Sequence, residues 1–126
     1  MSWRVARSQQ RATEIEEARR REEVDARQRA TVHLDIERQA ADKSHRLVVH
    51  NAGQATAREV NVEFLPRPGE RSWEVIGVSL PIPSLASGQK MRLILPLALG
   101  DPPGQEATAT WQDDLGAHRV QYSLHI

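Results

Sequence analysis

The chain has 126 residues, with 17 Lys+Arg balanced by 17 Asp+Glu for a formal net charge of zero. That length suits one domain with a real hydrophobic core, and the balance excludes a bulk basic excess of the kind that binds nucleic acid. There is no cysteine, so disulfides, thiolate zinc sites and a cysteine nucleophile are excluded.

Composition changes near residue 30. Residues 1 to 30 hold eight Arg and six acids, and neither Gly nor Pro; all seven Gly and all seven Pro follow. Residues 4 to 30 are rich in Arg, Glu, Gln and Ala, which favour a helix. Acid-to-Arg pairs recur four residues apart: Glu16 with Arg20, Glu17 with Arg21, Glu23 with Arg27, Asp25 with Arg29. Each contributes roughly 0.2–0.5 kcal/mol to an isolated helix. The apolar face is weak. Val5, Ala12 and Ala26 share a heptad position that Arg19 interrupts, and Ser8, Ile15 and Glu22 form a mostly polar neighbour, whereas a coiled coil needs two apolar positions over several heptads. Two readings stand: a solvated, charge-laced helix, or an arm that docks through Trp3, Val5, Ile15, Ala18 and Val24. Trp3 opens this highly polar helix, where it is either a frayed end or an interface anchor.

From residue 31 the apolar period becomes two. Thr31 to Glu37 alternates, with Val32, Leu34 and Ile36 on one face. Gln39 to Ser44 is a polar turn. Leu47 and Val49 make a second strand, closed by Asn51-Ala52-Gly53, and Val60, Val62 and Phe64 a third. Trp73 to Leu80 is expected as a fourth, ended by Pro81 and Pro83. Met91, Leu93, Leu95 and Leu97 mark a fifth, and Ala107, Ala109 and Trp111 a sixth beyond the GDPPG turn at 100–104. Asp113-Asp114-Leu115-Gly116 reads as a tight hairpin into a seventh strand carrying Val120, Tyr122, Leu124 and Ile126. Seven short strands with one apolar face each predict an immunoglobulin-like antiparallel β-sandwich over residues 31–126, mainly β in class, preceded by a helical arm over residues 1–30.

HRLVVHNAGQATAREVNVEF, IPSLASGQKMRLIL and ATWQDDLGAHRVQYSL together resemble the strand, turn and closing-hairpin units of bacterial immunoglobulin-like domains of the CARDB type. The resemblance covers residues 45 to 126 and rests on turn and core patterns. It implies an adhesion, spacer or assembly module, an inference drawn from fold alone. The long arm is outside that pattern.

Candidate chemistry is sparse. His33, His45, His50, His118 and His125 are scattered over different strands without metal-ligand spacing, and Asp113 and Asp114 lack the acidic series of a calcium loop. No G-x-S-x-G elbow is present, and no glycine-rich loop opens a helix. The reading therefore assigns no catalytic, cofactor or metal residues, and a protein partner instead of nucleic acid or membrane. It expects no cofactor and no enzyme activity. The stretch MSWRVARSQQ is not a secretory signal, and no apolar run reaches roughly 18 residues, so a soluble, cytoplasmic or virion-associated protein is expected. The function expected is a non-enzymatic assembly module, the helix docking the sandwich onto itself or a larger complex, as in a bacteriophage accessory or decoration protein. The competing expectation is a soluble spacer related to membrane-tethered immunoglobulin-like proteins.

Overall fold

A computed structural model describes the backbone of residues 3–126 and the side chains of residues 14–126. It has one helix, α1 (Trp3–Gln28), and seven strands: β1 (Val32–Arg38), β2 (His45–Asn51), β3 (Ala57–Leu65), β4 (Ile82–Leu85), β5 (Lys90–Leu95), β6 (Gly104–Asp113) and β7 (Gly116–His125). At 1.5 Å rise per residue, the 26 residues of α1 span about 39 Å.

Two antiparallel sheets face one another. One has the order β1-β2-β5 and the other β4-β3-β6-β7. This is the strand division of a constant-type immunoglobulin sandwich with the fourth strand moved to the edge of the opposite sheet. The facing surfaces supply the core. Val32, Leu34, Leu47, Val49, Leu93 and Leu95 from the first sheet meet Val60, Val62, Ile82, Leu85, Ala107, Ala109 and Trp111 from the second. The alternation in each strand dictates this, because successive side chains leave opposite faces.

The total of seven strands matches expectation, but one strand lies elsewhere. Trp73–Leu80 is an irregular segment; its one ladder contact is an isolated bridge between Ile76 and Ile94. Its apolar residues anchor the loop instead of pairing it: Trp73 is buried, and Val75, Val78 and Leu80 pack half-buried against the core. The Trp73 N–H donates to Gln105 Oε1 at 2.8 Å and the indole N–H to Pro102 O at 3.2 Å. Gly77, at φ 80°, breaks the extended backbone midway. The fourth strand is Ile82–Leu85, which carries Pro83. Proline is tolerated there because β4 is an edge strand and Pro83 has no register partner on β3. A bulge between Arg58 and Asn61, with Glu59 at φ 51°, keeps both Ala57 and Val60 facing inward.

Candidate functional site: the root of the helical arm

Each described side chain of α1 from Glu14 to Arg27 is exposed. Ile15 is 60% and Val24 48% exposed, and Ala18 is also open to solvent. Ile15 and Ala18, three residues apart, share a side of the helix. Val24 is nine residues beyond Ile15, about 180° around the axis at 3.6 residues per turn. The structure therefore brings Ile15 and Ala18 together and sets Val24 opposite them. The side chains of Trp3 and Val5 lie outside the described residues.

Where the arm meets the sandwich, the chain is held through its backbone. Arg29 O accepts N–H bonds from both Gln54 and Ala55, each at 3.0 Å, which satisfies a carbonyl that a helix end otherwise leaves unpaired. The Ala30 N–H donates to Asp113 Oδ2 at 2.8 Å, and Ala30 O accepts the Trp111 indole N–H at 3.2 Å. The Thr31 N–H donates to Asn51 Oδ1 at 3.2 Å, and Thr31 O accepts the Ala52 N–H at 2.8 Å. Ala30 is buried among core residues, so the sandwich begins before the first strand does.

Two buried polar side chains organise this socket. Asn51 is fully buried. Its amide donates to Ala55 O at 2.8 Å and Leu85 O at 2.9 Å, while Oδ1 accepts from Gly53 N at 3.0 Å as well as from Thr31. All its hydrogen-bonding capacity is spent on main chain, tying the β2–β3 loop, β4 and the arm's root together. Gly53 supplies closeness: a Cβ there would lie 2.5 Å from Thr31 N and 2.6 Å from Arg29 O. Asp113, also buried, accepts from Ala30, from Leu115 N at 2.8 Å, and binds His118 Nε2 at 2.8 Å. Burial pushes its carboxyl up, but the Ala30 N–H, the His118 ring and the Leu115 N–H outweigh that and hold it below its ordinary range. The His118 ring stacks on Trp111 at 5.5 Å between centroids, completing a buried, hydrogen-bonded joint.

The sequence pattern marks Asn51 and Asp113 as turn residues and Trp111 as core. Those roles hold, but their convergence on residues 29–31 was not visible. The available signal was chemical: Asn51 closes a strand of apolar residues and Asp113 ends another, so each polar group needed a buried partner. Chemically, the joint binds and orients backbone. Among the described residues, no group of three or more His, Cys, Asp or Glu side chains is placed to hold a metal ion, and no described helix is long and apolar enough to cross a membrane.

In comparisons with known proteins, no curated protein and no solved structure matches the chain. A sequence model of one family, described as a domain of unknown function (DUF8453), matches residues 1–126. Arm, root and sandwich are thus covered by one match, and the chain belongs to the DUF8453 family.

Proposed function

We propose that this protein is a non-enzymatic binding and assembly module, in which α1 docks the sandwich onto a protein partner, either another copy or a larger complex. One observation carries the proposal: a helix of about 39 Å, whose described side chains from Glu14 to Arg27 are all exposed, is followed by three consecutive residues held to the sandwich by main-chain bonds. A free helix of that length gains little from packing in the isolated chain, and a clamped base would turn binding at the arm into positioning of the sandwich. The placement of Ile15 and Val24 on opposite sides fits a partner that surrounds the arm better than one that meets it along a single seam. The strand order supports the resemblance to bacterial immunoglobulin-like domains at the level of topology.

The test is to express the full chain in its native host with Ile15→Asp and Val24→Asp together, and compare co-purifying proteins and light-scattering mass with the unaltered chain. Loss of the associated species with an unchanged melting curve is expected. Identical partners and identical mass would sink the docking role of the arm.

A further inference from the structure

The sandwich has four sheet edges, and three are guarded. On β1, the outward Ile36 N–H is taken by Asp35 Oδ1 at 2.8 Å and Val32 O by the Tyr122 hydroxyl at 2.5 Å. On β5, Ile94 O accepts the Ile76 N–H at 3.0 Å. β4 is four residues long and contains Pro83. Short length, proline, charged side chains and a covering segment are among the devices by which native edges are kept from pairing.

β7 has neither short length nor proline nor, among the described residues, a covering segment, and Arg119 is its one fixed charge. It is ten residues long, pairs with β6 in an unbroken register, and has no strand on its other side. It contains neither proline nor lysine. The Ile126 N–H bonds Pro103 O at 3.0 Å. In an antiparallel ladder this turns the main-chain groups of even-numbered residues toward β6 and those of odd-numbered residues outward. Ala117, Arg119, Gln121, Ser123 and His125 therefore present outward N–H and C=O groups, and among the described residues no backbone or side-chain bond reaches them from outside the β6 ladder. The free edge runs about 27 Å at 3.4 Å per residue.

We propose that a second copy of this chain occupies the edge, β7 against β7 about a two-fold axis at Gln121, merging two four-stranded sheets into one. Three features fit that occupant. All five outward residues pair among themselves in this register, Ala117 with His125, Arg119 with Ser123 and Gln121 with itself, which closes about ten main-chain bonds. On the solvent face, Arg119 arrives opposite Ser123 of the second copy, whose hydroxyl donates to Glu106 at 2.7 Å, so a guanidinium meets a carboxylate. On the core face, Val120, left 39% exposed, arrives opposite the half-buried Tyr122. Each covers the apolar surface that the first sheet leaves open at this seam. The interface is independent of the arm.

The test uses the full chain, whose lack of cysteine makes introduced thiols unambiguous. Gln121→Cys is expected to form a disulfide-linked dimer under mild oxidation, because directly paired residues sit about 5.5 Å apart at Cα, within disulfide reach. Ala117→Cys, about 27 Å from its own equivalent, is expected to remain monomeric on a non-reducing gel. In sedimentation, Arg119→Glu should raise the dimer dissociation constant at least tenfold, and Arg119→Glu with Glu106→Arg should recover most of that loss. Ile15→Asp with Val24→Asp should leave the dimer intact. Equal cross-linking of the two cysteine variants, no cross-linking of Gln121→Cys, no rescue by the charge exchange, or loss of the dimer on changing the arm alone would each overturn the proposal.

Discussion

Ala30 and Asp113, 83 residues apart in the chain, are joined by a 2.8 Å bond from a backbone N–H to a buried carboxylate. The same carboxylate serves Leu115 and His118, so it closes the β6–β7 hairpin and the base of the arm at once. Asp113→Ala leaves the buried Ala30 donor and the part-buried Leu115 donor without their acceptor. The expected cost is about 3 kcal/mol, the scale of a buried charged acceptor removed from its partners. Urea denaturation measures it, and a loss under about 1 kcal/mol would show that water satisfies those donors.

The pH dependence follows from the same residue. The folded-state pKa of Asp113 lies below its ordinary value of 3.8. Its contribution is therefore present above that value and is lost as pH falls through the folded one. Asp42 and Glu106 are also lowered, each chiefly by a side-chain hydrogen bond, to Ser44 and Ser123 respectively. A comparison with Asp113→Asn isolates the buried group. The unaltered chain should lose stability more steeply than the variant below about pH 4; parallel curves would exclude the Ala30 bond as a source of acid sensitivity.

Gly53→Ala tests the closeness of the β2–β3 loop to the root. The added carbon would meet Thr31 N, Arg29 O and the Ala30 Cα at 2.5–2.7 Å. All three are backbone, so no side chain can turn aside, and the loop must move away from the bonds at Arg29 O. A destabilisation of about 2 kcal/mol or more is expected. Amide hydrogen exchange at Gln54 and Ala55 should accelerate selectively, and protection equal to the parent would contradict this account.

Asn51→Asp keeps the shape and removes the two donors. A carboxylate would then face Ala55 O and Leu85 O in a fully buried site, at a cost of roughly 3 kcal/mol at neutral pH. Protonation returns one donor, so part of the loss should be recovered in mild acid. A penalty that does not change between pH 7 and pH 4 would mean that the two carbonyls find other partners.

Much of the fold was legible because strand alternation is local. Val32, Leu34 and Ile36 announce an inward face without reference to any other residue. Trp73–Leu80 misled because burial and pairing look alike in sequence: Trp73 and Leu80 are apolar for packing, while the segment is fixed at Trp73, whose backbone N–H reaches Gln105 and whose indole N–H reaches Pro102, residues no local pattern connects to it. Pro83 misled in the opposite direction, since proline reads as a break unless the strand is known to be an edge. The arm was legible from composition and the i,i+4 pairs. Its root was not, because its bonds join residues 29–31 to Asn51, Gln54, Trp111 and Asp113, contacts fixed by topology. The open edge at β7 was equally hidden: alternation gives a strand its faces and says nothing about its neighbours.

The socket at the base of the arm grips main chain almost exclusively. Apart from the small side chain of Ala30, which the core encloses, the hydrogen bonds at the root engage the main chain of residues 29–31 and not their side chains. A protein engineer can therefore rewrite the exposed part of the arm without touching the bonds that hold its root. A foreign helix ended at position 28 and followed by the same residues 29–31 would meet the same main-chain bonds, which makes the two parts interchangeable components in design.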